Sequence, residues 1–121
     1  MSKIRSRDTR PEIRVRSTLH RLGFRFRIHL RTLPGRPDIV LPKHHAVILV
    51  HGCFWHRHAG CKYAYTPKSR IDFWSRKFDE NVRRDDRVMK ELAESGWRAL
   101  RIWECETKDV DVIRERLVAF L

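Results

Sequence analysis

The feature of this chain that most constrains its fold is an apolar run that leads directly into a cluster of potential ligands. Residues 46–50 are Ala-Val-Ile-Leu-Val, and residues 51–61 then hold three histidines, two cysteines and the adjacent aromatic residues Phe54 and Trp55. A short apolar run rich in β-branched residues is typical of a buried strand. The sequence therefore predicts a buried strand that ends in a loop of metal-binding and reactive side chains.

Composition predicts one globular domain, residues 1–121, that binds a polyanion. The chain is 41% hydrophobic, and 27 Lys and Arg against 15 Asp and Glu give a net charge of +12, which favours nucleic acid as the partner. No apolar run approaches the ~20 residues of a transmembrane helix, and no signal-peptide core follows the N-terminus. Three cysteines, an odd number, fit reduced thiols or metal ligands better than paired disulfides. We therefore expect a monomeric, cytoplasmic, DNA-associated protein without a membrane segment.

The spacing of apolar residues predicts seven secondary-structure elements. The first is a helix that begins with Thr9 as N-cap and ends at Gly23. Strands are expected at residues 24–29, 38–41, 46–50 and 97–103, and further helices at residues 72–95 and 109–121. The order α-β-β-β-α-β-α predicts an α/β fold with a central mixed sheet flanked by helices.

Four potential zinc ligands are available, three of them in the loop. Cys53, His58 and Cys61 lie close together in sequence, and Cys105 follows the last predicted strand. A Cys₃His set is a standard closed coordination sphere for structural zinc, and a small domain with a long irregular loop gains stability from it. Two alternatives stay open on spacing alone. The first is that Cys105 is a buried core thiol and the other three residues are incidental, and the second is that His56 is the ligand in place of His58.

A second group of polar residues fits a site for a divalent cation. Asp38 begins one predicted strand, and the carbonyl of Val50 and the side chain of His51 emerge where the neighbouring strand ends. A carboxylate and a carbonyl oxygen suit a hard cation such as Mg²⁺, which polarises a phosphate. Taken alone, Asp38 is better explained as a turn residue.

Three further residues are candidates for proton transfer beside that cation. His56 carries an imidazole, the side chain best suited to deprotonating water near neutral pH. Asp85 shares a helix face with Asn81 and could orient the imidazole. Glu12, in the first turn of the first helix, could approach the same site. The alternatives are a solvated helix face for Asp85 and the N3 position of a capping box for Glu12.

Six segments in colinear order closely resemble the very short patch repair (Vsr) endonucleases. They are residues 34–38 (PGRPD), 47–56 (VILVHGCFWH), 73–74 (FW), 81–85 (NVRRD), 96–98 (GWR) and 102–105 (IWEC). The resemblance implies a restriction-endonuclease-like, PD-(D/E)XK-type α/β core with a zinc-stapled loop. It also implies Mg²⁺-dependent nicking of one DNA strand 5′ to the thymine of a T·G mismatch. Such mismatches arise by deamination of 5-methylcytosine, so mismatch-repair proteins and a cytosine methyltransferase are implied as partners in the same pathway.

The resemblance assigns a role to each candidate residue. Asp38 and the Val50 carbonyl would bind Mg²⁺, His56 would be the general base oriented by Asp85, and His51 and Glu12 would lie at the scissile phosphate. Structural zinc would be held by Cys53, His58, Cys61 and Cys105. Phe54 and Trp55, with Met1 or Ile4 of a short arm at residues 1–8, would insert into the base stack, which is weaker beside a wobble pair. Without the resemblance, Phe54 and Trp55 are equally a small core against the zinc loop.

Three features depart from the common family pattern. Val50 stands where threonine is frequent, the spacing from Cys53 to Cys61 is one residue longer, and the N-terminal arm is short. Two alternative functions are therefore kept. One is a zinc-containing protein that binds distorted duplex DNA without cutting it, and the other is a mismatch or restriction-type endonuclease of broader specificity.

Overall fold

A computed structural model describes residues 9–28 and 30–121 and contains a four-stranded mixed sheet packed between helices. The elements are α1 (Arg10–Arg21), β1 (Arg27–Ile28), β2 (Ile39–Leu41), β3 (Ala46–His51), α2 (Ile71–Glu94), β4 (Arg98–Trp103) and α3 (Val110–Phe120). Short 3-10 helices follow β2 at Pro42–His44 and β4 at Glu104–Lys108. The sheet order is β1-β2-β3-β4, with two antiparallel pairs and then a parallel pair between β3 and β4. The predicted α/β fold with a mixed central sheet is confirmed.

The start of α1 follows from local capping chemistry. The hydroxyl of Thr9 accepts a hydrogen bond from the backbone N–H of Glu12, and Pro11 occupies the first turn. Both features stabilise a helix N-terminus, where backbone N–H groups have no partner within the helix. At the other end, Gly23 adopts a positive φ of 88° just after the C-cap Leu22.

The first strand is shorter than residues 24–29. Arg27 pairs with Val40 and Ile28 with Ile39, so Phe26 would face Leu41, the last residue of β2. Pro42 then turns the chain into a 3-10 helix and, as a proline, has no N–H to donate to a neighbouring strand. Residues 24 and 25 therefore have no residue of β2 opposite them, Phe26 faces only its last residue, and His29 lies outside the described residues.

Each face of the sheet has its own apolar layer. One layer joins α1 and α3 to the sheet through Val15, Leu19, Ile39, Leu41, Ile48, Ile102, Ile113 and Leu117. The other joins α2 to the sheet through Val40, Val47, Leu49 and Leu92. Alternating side chains of β2 and β3 thus supply opposite layers, which is why these strands read as continuous apolar runs. No helix in the described part of the chain combines the length and apolar content that a membrane span requires.

Strand polarity brings the candidate site residues to one end of the sheet. Because β2 and β3 are antiparallel and Ile39 pairs with Ile48, Asp38 at the start of β2 lies beside the end of β3. His51 ends β3 and pairs in register with Trp103 at the end of β4. The ligand-rich loop, residues 52–70, leaves from this same end and connects β3 to α2.

Candidate active site and thiol cluster

One face of α2 receives the loop along much of its length. The side chain of Asn81 donates to the carbonyl of Trp55 at 3.2 Å, and the carboxylate of Asp85 meets His56 one turn later. A further turn along, Val88 lies against the backbone of Gly35, where an added Cβ would come within 2.3 Å of Val88 Cγ1. Residues at i, i+4 and i+7 share one side of a helix, so a single stripe of α2 positions the loop and the turn before Asp38. The prediction that Asn81 and Asp85 share a face is confirmed.

An open cleft of about 630 Å³ forms where this stripe meets the end of the sheet. It is lined by all five residues that the sequence nominated for catalysis, namely Glu12, Asp38, His51, His56 and Asp85. These residues come from α1, the start of β2, the end of β3, the loop and α2. Side chains far apart in sequence thus converge on one cavity, as in an active site.

His56 and Asp85 form a short hydrogen-bonded pair at the cleft. His56 Nδ1 lies 2.6 Å from Asp85 Oδ2, and the carboxylate is buried. When Nδ1 carries the proton and donates it to the carboxylate, Nε2 has the free lone pair of a proton acceptor. The pair therefore has the geometry of a general base held by an orienting carboxylate.

His51 is a buried neighbour of this pair. Its ring stacks on that of His56 with 3.8 Å between centroids and 5° between planes, and its edge meets Trp103. Its Nδ1 is buried without a hydrogen-bond partner among the described residues. Burial, and secondarily the adjacent His56, lower the pKa of His51 to about 3. His51 is therefore neutral near pH 7.

Asp38 is held against the end of β3. Its Oδ2 accepts a hydrogen bond of 2.7 Å from the backbone N–H of Val50. A residue in an extended strand directs its N–H and C=O toward the same side, so the Val50 carbonyl faces the Asp38 side as well. Two oxygen donors at one end of the sheet fit a hard divalent cation such as Mg²⁺.

Glu12 lies at the cleft wall with 3% of its surface exposed. Its carboxylate pairs with Arg16 at 3.1 Å, one helical turn along α1. Glu12 thus occupies both of its predicted positions, because its N–H bonds to the Thr9 cap while its side chain borders the cavity.

The four predicted zinc ligands converge in a second cluster, and none of them lines the cleft. One ligand atom each from Cys53, His58, Cys61 and Cys105 lies within 4.8 Å of every other. His58 Nδ1 is 3.6 Å from the sulfur of Cys53 and 3.4 Å from that of Cys105, and its ring stacks on Trp103. Tetrahedral zinc separates a sulfur from a nitrogen ligand by about 3.5 Å, given bonds of about 2.3 and 2.0 Å. The donor set and its spacing therefore fit zinc.

The local backbone explains how the loop gathers these ligands. The N–H of His58 donates to the carbonyl of Cys53, and that of Cys61 donates to the carbonyl of His58. Gly60 adopts a φ of 73°, which a glycine reaches without strain and which turns the chain back toward the cluster. Cys105 enters from the 3-10 helix that follows β4, two residues beyond the last residue of the strand.

The three thiols of the cluster differ in the direction of their pKa shifts. Burial raises the pKa of Cys53 to about 12 and also raises the pKa of Cys105, while a backbone hydrogen bond from Tyr63 lowers the pKa of Cys61. A bound dication reverses the effect of burial, because metal coordination deprotonates a thiol outright. Of the two histidines left open by spacing, only His58 belongs to this cluster, while His56 pairs with Asp85.

An aromatic cluster joins the loop between β3 and α2 to helix α2. Phe54 lies at its centre, with ring centroids 5.1 Å from Trp55, 5.1 Å from Tyr65, 5.7 Å from Trp74 and 5.2 Å from Phe78. Phe54 and Trp55 are both half-buried. Phe54 thus packs in a small aromatic core in the free protein, and Trp55 and Tyr65 border the same core.

Comparison with known proteins places this arrangement in a family. The profile described as DNA mismatch endonuclease Vsr matches residues 1–62. The type II nicking enzyme V.XorIIP of Xanthomonas oryzae is 50% identical over 117 residues, covering 97% of this chain and 85% of that protein. The chain belongs to the Vsr family. DNA mismatch endonuclease Vsr of Escherichia coli is 46% identical, and the match covers 87% of this chain and 67% of that protein. The type II nicking enzyme V.NmeAIP of Neisseria meningitidis is 44% identical, and the match covers 97% of this chain and 83% of that protein. This Vsr family member is an endonuclease.

Three arginines of this Vsr cleft were given no role in the predictions from sequence. Arg31, Arg36 and Arg84 line the cavity with the carboxylates and histidines, and Arg36 has an unusual φ of 46°. Arg84 could have been predicted from sequence, since it immediately precedes Asp85. In the structure its Nη1 donates to the side-chain oxygen of Asn81. Arg36 lies within the PGRPD segment that carries the family resemblance, but no role was assigned to it. Arg31 carried no signal, because an isolated arginine in a chain with net charge +12 is unremarkable in sequence. Met1 and Ile4, the predicted arm residues, lie outside the described residues.

Proposed function

We propose that this Vsr family endonuclease nicks one strand of duplex DNA 5′ to the thymine of a T·G mismatch, in a reaction that requires Mg²⁺. The observation that carries the proposal is the convergence of Asp38 and the His56–Asp85 pair on one cleft beside an aromatic cluster. Water activation, phosphate binding and contact with unstacked bases thereby become available within one site. The proposed core type is PD-(D/E)XK, with Asp38 as the first carboxylate.

His56 is the proposed general base. Its Nε2 takes a proton from the attacking water as the oxygen–phosphorus bond forms, and the phosphorus–oxygen bond to the leaving sugar oxygen breaks. Asp85 accepts the Nδ1 hydrogen bond, which orients the ring and stabilises the imidazolium that forms. His51, neutral and stacked on His56, keeps the ring plane fixed and faces the phosphate from the end of β3.

Asp38 and the Val50 carbonyl are the proposed ligands of Mg²⁺. When bound, the cation polarises the scissile phosphate and stabilises the leaving alkoxide. The hydrogen bond from the Val50 N–H aims the Asp38 carboxylate. A backbone carbonyl serves this purpose with any side chain, so valine in place of the frequent threonine is compatible with activity. Glu12 is proposed to border the same phosphate from α1.

Structural zinc is the proposed occupant of the Cys53, His58, Cys61 and Cys105 cluster. These residues tie the loop to the 3-10 helix after β4, and the ligand spacing described above supports the assignment. The longer interval between Cys53 and Cys61 is accommodated by the positive φ of Gly60. The zinc would hold the loop and would take no part in hydrolysis.

Phe54 and Trp55 are the proposed wedge into the base stack, assisted by Met1 or Ile4 of the arm at residues 1–8. A T·G wobble pair stacks less well than a Watson–Crick pair, so inserting an apolar side chain beside it costs less. Deamination of 5-methylcytosine is the proposed source of the substrate, which links the enzyme to a cytosine methyltransferase and to mismatch-repair proteins. A monomer suffices, because one chain supplies every proposed group.

Cleavage of end-labelled duplexes tests the proposal. Duplexes with a T·G pair, with other mismatches or with none are incubated with Mg²⁺ or with EDTA, and the products are resolved for each strand. We expect one nick, in the thymine strand of the T·G duplex, with Mg²⁺ alone. Asp38→Asn abolishes it, whereas Asp86→Asn, at an exposed carboxylate on α2, leaves it unchanged.

Each alternative has its own outcome in this assay. Tight binding of the T·G duplex without cleavage would establish a binding protein. Cleavage of both strands, or equal cleavage of other mismatches, would establish a broader endonuclease. Nicking that survives both Asp38→Asn and His56→Ala would refute the assigned site.

A further inference from the structure

The side chain of Arg57 joins two segments of the loop between β3 and α2. Its Nη1 donates to the carbonyl of Phe54 at 3.3 Å and to the carbonyl of Tyr65 at 2.9 Å. Its Nη2 donates to the hydroxyl of Thr66 at 3.2 Å. One guanidinium thus joins the first part of the loop, next to Trp55, to a segment eight and nine residues further along the chain.

The same guanidinium also lies on the aromatic cluster. Its central carbon is 3.9 Å from the centroid of Phe78 and 5.8 Å from that of Phe54. Phe78 is buried on α2, so the cation rests on a fixed ring and makes a cation–π contact. Arg57 therefore links three bodies, which are the Phe54 backbone, the Tyr65–Thr66 segment and helix α2.

The backbone of Arg57 is held in a conformation that most residues avoid. Its φ is 55°, in the left-handed region that favours glycine. A side chain with five contacts at such a position indicates that the contacts determine the conformation, because nothing intrinsic to arginine favours it. This turn also separates His56, which faces Asp85, from His58, which faces the thiols.

We propose that Arg57 is a positioning residue that pre-organises Phe54 and Trp55 for insertion into the base stack and so sets the preference for mismatched over paired DNA. The proposal rests on the proposed function, in which these two rings form the wedge. A loop held in its working geometry before binding loses less conformational freedom on insertion, which strengthens the complex with distorted DNA. The contacts of Arg57 lie on the loop and on α2, and Arg57 is not among the residues that line the cleft, so we expect its effect on binding and insertion.

Arginine is required at this position because of the shape of its head group. The planar guanidinium reaches three acceptors on two segments while its face stays on Phe78. An ammonium group has the same charge but no fixed fork and no flat face. Arg57→Lys therefore removes the arrangement and keeps the charge. Arg114→Lys, on the exposed side of α3 and far along the chain, is the matched control.

The test measures base unstacking and cleavage on the same metal-loaded protein. Duplexes carry 2-aminopurine beside a T·G pair or beside a T·A pair, and its fluorescence rises when the base unstacks. Zinc content is measured for each variant. Affinity comes from titration, and the cleavage rate comes from single turnover with saturating enzyme and Mg²⁺.

We expect Arg57→Lys to reduce the fluorescence rise on T·G duplex at least threefold and the T·G-over-T·A affinity ratio about tenfold. The saturated cleavage rate should change less than threefold, and zinc content should equal that of wild type. Thr66→Val, which removes one acceptor of Arg57, should give a smaller loss in the same direction.

Three outcomes would overturn the proposal. In the first, Arg57→Lys matches Arg114→Lys in fluorescence and affinity ratio. In the second, Arg57→Lys loses zinc, which makes Arg57 a structural support of the thiol cluster. In the third, the saturated cleavage rate falls while the affinity ratio is kept. The proposed function fails separately, when wild-type protein itself shows no unstacking or nicking of T·G duplex.

Discussion

Asn in place of Asp85 removes the charge beside His56 with little change in shape. The pair is short, at 2.6 Å, and its side chains are only 28% and 11% exposed, so solvent screens the interaction weakly. A hydrogen bond to a charged group contributes about 1.5–3 kcal/mol, and about 1.4 kcal/mol corresponds to a factor of ten in rate. Asp85→Asn should therefore lower the single-turnover cleavage rate by about 10- to 150-fold.

A double-mutant cycle shows whether Asp85 acts through His56. His56→Ala alone should lower the rate by about 10²- to 10⁴-fold, the usual contribution of a general base. If Asp85 only orients and stabilises that ring, the double variant should cleave within about threefold of His56→Ala, because coupled residues are not additive. The rates are measured on T·G duplex with saturating enzyme, and Asp86→Asn is the control for charge on α2.

Independent action would give a different result. If the double variant is slower than His56→Ala by the full factor of Asp85→Asn, Asp85 contributes without His56 and the base–carboxylate assignment is wrong. An Asp85→Asn rate equal to that of Asp86→Asn would also refute it.

Three further predictions concern stability. Gly35→Ala should lower the free energy of unfolding by about 2–4 kcal/mol, because φ is 72° and a Cβ would come within 2.3 Å of Val88. Gly23→Ala, where φ is 88° and the space is open, is the control and should lower it by about 1 kcal/mol. Equal losses for the two variants in urea denaturation would reject the contact with Val88. Cys105→Ser should remove zinc, measured by atomic absorption, and lower Tm by roughly 10 °C for a loss of about 2–3 kcal/mol; full zinc content would exclude Cys105 as a ligand. His51 has a pKa of about 3 in the fold and about 6.5 when unfolded, so only the unfolded chain binds its proton between these values. The free energy of unfolding should therefore decrease as the pH falls through that window, by up to about 1.4 kcal/mol per pH unit. His51→Phe should reduce the dependence of this free energy on pH, measured by denaturation curves between about pH 6 and pH 4.5.

Elements with strong local signals were predicted within one or two residues. The boundaries of α1 follow from Thr9 and Gly23, and those of β3 from its apolar run. The predicted first strand was too long because strand length depends on the partner, and Pro42 ends that partner early. Alternation of side chains reports which face is buried and gives no information on pairing.

The site was predictable in its residue types and not in its contacts. Spacing alone left His56 and His58 interchangeable, since both follow Cys53 within five residues. The structure separates them through Asp85, which lies on α2 twenty-nine positions beyond His56. The role of Arg57 was invisible for the same reason, because its partners Tyr65, Thr66 and Phe78 meet it only through tertiary folding.

Helix α2 supports two parts of the proposed site at different levels along its axis. Phe78 supports the aromatic cluster and Asp85 holds the proposed base, seven residues further along the same helix. A rise of about 1.5 Å per residue separates these two levels by about 10 Å along the helix. Helix α2 therefore fixes the distance between the support of the aromatic cluster and the support of the proposed base. One residue added between Phe78 and Asp85 would turn the carboxylate about 100° away from His56, so the helix could not lengthen there without loss of the proposed base.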